Sequence, residues 1–358
     1  MTNYRLDLYD KNGVKKAILS DTLNLTYNVK INHAGRVNFA LNGDHDMARQ
    51  IQPGWRCDIW RQLPTGTWRK EMVSFIESWQ WTYTDRPLMK FTGSGVLSLL
   101  AKRIVAYYAN TASKTAFNNQ KTENIVTSLM YFNIGAGATT ANGRMVDGVN
   151  SAIMIPASSN RGISVDWFCA WQNLLKTLQE LAEAGGFDFD LVPVGNNYLF
   201  TYYPDRLGSD RTNEIVFSLE RGNIINPTHY LITGNSATVA IVGGKGEESE
   251  REVETVTKSS SYDPFNGEIF VNATDIDTTS GLLQRGDDKL SEIIAKPKFE
   301  FDILQAENAR WNVDYFLGDL VKVITPMEQL PVTAEIDSAT VSFDKDGKEN
   351  IQIGVKSE

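Results

Sequence analysis

Gly54-Trp-Arg-Cys-Asp-Ile-Trp60 and Gly318-Asp-Leu-Val-Lys-Val-Ile324 are best read together, because their likeness decides the fold. Each opens on a glycine and passes into a stretch with apolar residues at alternate positions. Downstream of the first lie Ile76-Glu-Ser78, Trp79-Gln-Trp-Thr-Tyr83 and Gly93. Downstream of the second lie Ile336-Asp-Ser338, Ala339-Thr-Val-Ser-Phe343 and Gly354. Apolar residues take the same alternate places in both, which is the period of strands with one buried face. The match predicts an internal duplication: a glycine-led strand and a hairpin, present twice in one chain.

The surrounding sequence extends both copies. Around the first, Arg5–Tyr9, Leu25–Ile31, Val37–Leu41 and Leu88–Phe91 alternate, and Asn12-Gly13 is a hairpin turn signal. Around the second, Phe299–Ile303 alternates, and Asp344-Lys-Asp-Gly347 turns one strand into the next, Glu349–Val355. Several short strands punctuated by turns read as a small barrel or sandwich. Between the copies the period changes. Short helices are expected after Gly93-Ser-Gly95 and over Glu123–Phe132. A long helix is expected over Asp166–Ala184, capped by Ser164 and stopped by Gly185-Gly186. A hairpin, Phe187–Val192 and Tyr198–Tyr203, comes after it. The fold class expected is therefore mainly β with an α/β portion: two β-barrel domains separated by an inserted α/β domain. The boundaries are 1–107 for the first barrel, 108–223 for the insertion and 224–358 for the second barrel. That last segment carries strands at Ser236–Val242 and Glu252–Lys258 and a helical insertion near 282–296.

A chain of 358 residues, at ~150 per domain, holds two or three domains. Its 42% hydrophobic and 22% charged residues exclude a disordered chain, a collagen-like chain and a coiled-coil rod. Eight Trp and 13 Tyr favour β structure. The formal net charge of −9 argues against gripping nucleic acid, since phosphate binding needs clustered cations, but suits a protein that lets DNA pass. Two cysteines, Cys57 and Cys169, lie far apart without metal-ligand spacing and read as core residues. The N-terminal stretch carries charges at Arg5, Asp7 and Asp10, so it lacks a secretory h-region, and no apolar run reaches bilayer length. Synthesis in a cytosol is the expectation.

Chemistry-bearing motifs are weak. Gly243-Gly-Lys-Gly246 lacks P-loop spacing and leads into Glu247 and Glu248, so it reads as a loop between strands. Asp344-Lys-Asp-Gly347 and Asp10-Lys-Asn-Gly13 begin like calcium loops, yet their glycines mark hairpin turns. Asp275 and Asp277 read as solvated carboxylates. His33, His45 and His229 are scattered, outside any nucleophile motif. Glu180 and Glu183 share the polar side of the long helix, where a glycosidase pair would need a set separation. Trp55, Trp60, Trp68, Trp79 and Trp81 form an aromatic group, with Trp79, Trp81 and Tyr83 on one strand face. Core or subunit contact is the favoured role for it, with a carbohydrate platform as the alternative. No catalytic, cofactor-binding or metal-ligating residue is nominated.

The order of these features resembles that of the baseplate-hub or tail-tip proteins of long-tailed phages. The siphovirus Gp37-like tail proteins are the nearest resemblance, and the hub of contractile tails a more distant one. The resemblance is carried by Gly35-Arg-Val-Asn-Phe39, Pro53–Trp60, Phe91-Thr-Gly-Ser-Gly95 with Leu99–Arg103, and Leu174–Phe189. It continues through Val242–Arg251, Arg285-Gly286 and Tyr315–Val321. It implies that the two barrels are tail-tube-like and that three chains form a trimer matching a six-fold tube. It also implies a structural virion protein rather than an enzyme, without cofactor: a hub that caps or gates the DNA channel for genome ejection. The implied partners are a distal tail protein, other tail-tip or fibre proteins and a tape-measure protein, with DNA passing unbound. The implied place is the virion tail tip, after assembly in the host cytoplasm. A tail-associated cell-wall hydrolase, glycosidase or peptidase, stands as the alternative.

Overall fold

The computed structural model describes residues 4–106, 115–169, 171–230, 236–246, 250–258, 267–274, 276, 278–293, 298–304, 309–324 and 331–357. Seven strands come first: β1 (Tyr4–Tyr9), β2 (Lys15–Leu19), β3 (Asn24–Lys30), β4 (Arg36–Asn42), β5 (Arg56–Gln62), β6 (Trp68–Tyr83) and β7 (Pro87–Gly95). Next come α1 (Ser98–Ala101), β8 (Thr115–Lys121), α2 (Thr122–Asn133), β9 (Ile153–Met154), β10 (Ser164–Cys169), α3 (Leu174–Gly185), β11 (Asp188–Val194) and β12 (Asn197–Tyr203). The rest comprises β13 (Val216–Ser218), β14 (Ile224–Tyr230), β15 (Ala237–Gly243), β16 (Val253–Thr257), β17 (Gly267–Asn272), α4 (Thr279–Ile293), β18 (Lys298–Ile303), β19 (Leu320–Ile324), β20 (Val332–Phe343) and β21 (Glu349–Ser357). The chain is mainly β.

Its contacts gather it into two units. One contains residues 1–98, 207–230 and 298–358; the other contains 99–206 and 231–297. This differs from three consecutive segments divided at 107 and 223. The N- and C-terminal segments share one sheet, and the segment 231–297 belongs with the middle of the chain.

The first unit is built on a 13-stranded sheet whose main path runs β14-β18-β21-β20-β3-β4-β7-β6-β5-β1-β2, with β19 beside β20 and β13 beside β19. Within it one antiparallel pattern occurs twice. The neighbour order β3-β4-β7-β6-β5 is repeated as β14-β18-β21-β20-β19. The glycines that open β5 and β19 match in detail. Gly54 has φ +88° and Gly318 has φ +85°. The Gly54 N–H donates to the Ile76 carbonyl at 2.7 Å, and the Ile76 N–H returns to Trp55 at 2.8 Å. The Gly318 N–H donates to Ile336 at 2.9 Å, and the Ile336 N–H returns to Asp319 at 3.0 Å. β6 carries an irregularity between Ile76 and Ser78, and β20 one between Ile336 and Ser338. An extra residue there bends the strand and re-aims the side chains beyond it. The ladder sets Gly354 opposite Ser338 but Thr92 opposite Ser78, so Thr92 rather than Gly93 is the counterpart of Gly354.

Burial tracks the repeat. Val37, Phe39 and Leu41 on β4, and Phe299, Phe301 and Ile303 on β18, enter one core, where Phe39 stacks on Phe91 and Phe217 packs on Phe301. Among the described residues two separate closed barrels are not seen. Ser338–Phe343 of β20 pairs with Lys30–Leu25 of β3, which joins the repeats into a single sheet. Among the described residues its strand path does not close on itself.

In the second unit, α3 begins at Leu174, not Asp166. Ser164–Cys169 is a strand paired with β8, and Trp167 is buried within it. Valine, tryptophan and phenylalanine in close succession favour the pleated backbone. The N-cap is Asn173, whose side chain accepts from the Lys176 N–H, rather than Ser164. Gly186, at φ +61°, ends the helix as expected. β11 and β12 form the expected hairpin, with β9 parallel to β12. α4 packs on a sheet ordered β16-β15-β17. A Cβ at Gly286 would lie 2.7 Å from Val242 and 2.8 Å from Val256, so glycine permits this approach.

Candidate functional site

The residues weighed for chemistry do not converge. His45 Nε2 lies 3.3 Å from Asp21, His33 Nδ1 lies 2.7 Å from the Ile31 carbonyl, and His229 packs edge-on against Phe299. Glu180 sits between Lys289, at 3.3 Å, and Lys176, at 3.8 Å. Asp344 accepts from the N–H groups of Asp346 and Lys348, and Asp10 from those of Asn12 and Val14, so both loops use their carboxylates as turn braces. Gly243 and Gly244 present their carbonyls to the Arg251 guanidinium. Asp275 and Asp277 lie outside the described residues. Cys57 and Cys169 are buried and are not joined in a disulfide. Burial pushes the Cys57 thiol far above its usual range, which makes it a poor nucleophile. Among the described residues no cluster of three or more His, Cys, Asp or Glu could hold a metal ion. No helix there is long and apolar enough to cross a membrane.

The five tryptophans divide. Trp55 packs against the core. Trp60 and Trp68 flank the Arg5 guanidinium, 4.8 and 5.5 Å from the two rings, and Lys70 lies 5.1 Å from Trp60. Trp79, Trp81 and Tyr83 line the outer half of β6, 48%, 54% and 63% exposed, with Trp81 and Tyr83 stacked at 6.2 Å. β5 pairs with β6 only as far as Phe75. Past that point β6 has β7 on one side and, among the described residues, no strand on the other. An open strand edge bearing exposed aromatics is the kind of surface on which another strand can pair.

A second feature had no local signature in the sequence. Arg61, fully buried, donates to Glu349 at 3.2 Å and to the Trp311 carbonyl at 2.9 Å, with Glu71 3.5 Å from its Nε. Asn312 donates to Glu71 at 2.7 Å. Burial pushes the Glu349 carboxyl up, and Arg61 beside it draws it part of the way back. The network joins β5 and β6 of the first repeat to β21 and the 311–312 segment of the second. It is a structural tie, because a charge removed from it would leave a partner buried and uncompensated.

The first unit thus presents a broad sheet with an open edge and exposed aromatics among its described residues. The model of the family described as Siphovirus ReqiPepy6 Gp37-like protein matches residues 5–355. The chain belongs to that family. The Gp37-like family is one of siphovirus tail proteins, as the sequence resemblance implied, and the chain is a structural protein of phage-tail type. Its fold is also that of solved tail proteins. The tail protein from Neisseria meningitidis MC58 is 10% identical with a TM-score of 0.58, over 99% of this chain and 97% of that one. The 43 kDa tail protein of prophage MuSo2 from Shewanella oneidensis is 14% identical with a TM-score of 0.56, over 98% of both chains. Prophage tail protein gp18 from Listeria monocytogenes EGD-e is 10% identical with a TM-score of 0.54, over 99% of this chain and 94% of that one. No curated protein sequence matches this Gp37-like chain.

Proposed function

We propose that this Gp37-like protein is a non-catalytic hub at the tail tip, a homotrimer that connects to a hexameric tail tube and caps or gates its DNA channel. One observation carries the reading: a single chain holds the same five-strand pattern twice. Three chains would then offer six similar units to a six-fold partner, and cyclic symmetry is the ordinary way such a match is made. The partners are the distal tail protein, the tape-measure protein and other tip or fibre proteins. The net charge of −9 supports a channel that DNA crosses without sticking, since like charge opposes phosphate binding. The tail-tip position belongs to the same reading.

Light scattering and negative-stain imaging of the purified chain test it. The expected result is a ring of about three times the 40.0 kDa chain mass. A monomer at every concentration would overturn the trimer, and clearing of a cell-wall zymogram would replace the structural role with a lytic one.

A further inference from the structure

The two repeats can be aligned on their bulges, residue by residue. Ser78 takes the place of Ser338, so Trp79, Trp81 and Tyr83 take the places of Ala339, Val341 and Phe343. Reading across the ladders, Thr92 corresponds to Gly354, Asn38 to Glu300, and Thr26 to Thr228. β14 is thus to the second repeat what β3 is to the first.

The correspondence breaks at one place. Ala339, Val341 and Phe343 are 1%, 0% and 2% exposed, and β3 lies along that edge of β20. Their counterparts Trp79, Trp81 and Tyr83 are about half exposed or more, along an edge of β6 with no strand beside it among the described residues. At the far end of the sheet, β14 has β18 on one side and, again among the described residues, an open edge on the other. Among its described residues, a single chain therefore has one vacant socket for a β3-like strand and one unused strand of that kind.

We propose that the open edge of β6 receives β14 from a second copy of this chain, antiparallel, with Thr82 opposite Thr228 and Trp81 opposite His229. These are the pairings that Ser342 makes with Thr26, and Val341 with Tyr27, inside one chain. The proposal rests on reading the protein as a self-assembling tail component, and it names the surface by which the copies join. The contact is head to tail, so repetition gives a ring where the rotation closes. It covers aromatics that bury ~150–250 Å² each. Pro227 lacks an N–H and confines the new ladder to the residues after it.

Oxidation of the full-length double variant Thr82→Cys/Thr228→Cys tests the pairing, since the native cysteines are buried. Covalent oligomers joined through positions 82 and 228, identified by peptide mass spectrometry and absent from either single variant, are expected. Trp81→Ser should weaken self-association about thirtyfold in sedimentation, as for an interface hot spot, with an unchanged circular dichroism spectrum. A non-covalent oligomer of the right mass that forms no such disulfide overturns the strand pairing and leaves the hub reading standing. A persistent monomer overturns both. A position-82 link to a different tail protein overturns the pairing. A correct disulfide in a protein missing from tail particles upholds the pairing and removes the hub.

Discussion

Gly54 and Gly318 share a left-handed backbone, yet they stand in different space. A Cβ on Gly54 would meet Lys11 Cε at 2.8 Å, whereas one on Gly318 would lie 2.5 Å from the Gly208 backbone nitrogen. A lysine tail swings aside; a backbone does not. Gly54→Ala should therefore cost about 1–2 kcal/mol, from conformation alone. Gly318→Ala should cost that and about 1–3 kcal/mol more, for parting two packed segments. Urea unfolding of the two variants measures the difference, and equal losses would show that the 208 segment yields freely. Both glycines are legible in sequence, since each precedes an alternating stretch. Arg61 is not: its partner Glu349 lies 288 positions away, and no local pattern marks a buried arginine.

Among the elements, α3 shows where periodicity misleads. Trp167 and Trp171 extend its apolar stripe backwards at helical spacing, but Trp167 belongs to a strand and Trp171 has φ +56°. Two aromatics fit either period, and pairing with β8, invisible in sequence, decides between them. The neighbouring helix α4 supports a prediction. Burial pushes the Asp288 carboxyl up to about 7, against 3.8 for the free group, while Gln284 donates to it at 2.8 Å. The folded chain keeps this proton up to about pH 7 and the unfolded chain releases it near 3.8, so folding binds a proton between those limits. Stability from this group is full at the acidic end and is lost as pH rises through that window. Asp288→Asn should thus raise the melting temperature at pH 8 and leave it nearly unchanged at pH 4. The gain is on the order of 2 kcal/mol at pH 8, after discounting for partial exposure and solvent screening. Equal shifts at both pH values would assign the effect to packing instead.

At the scale of the molecule, the duplication was legible because alternation, leading glycine and hairpin recur together. Alternation tells which face of a strand is buried and leaves its neighbour open. Hence two barrels were the natural expectation, whereas the two repeats share a single sheet sewn through β3 and β20. That seam can be tested directly. Thr26 and Ser342 stand opposite one another across it. Directly opposed strand residues place their Cβ atoms ~4.5–5.5 Å apart, within a small adjustment of disulfide geometry. Thr26→Cys/Ser342→Cys should therefore close a bond within one chain, seen as a faster band at monomer mass on a non-reducing gel. Because the closed loop spans most of the chain, the oxidised form should gain about 2–4 kcal/mol over the reduced form in thermal unfolding. The Thr82/Thr228 pair should instead link different chains. If both pairs linked chains, β20 would take its β3 from a neighbour, and the two repeats would belong to a domain-swapped assembly rather than to one folded polypeptide.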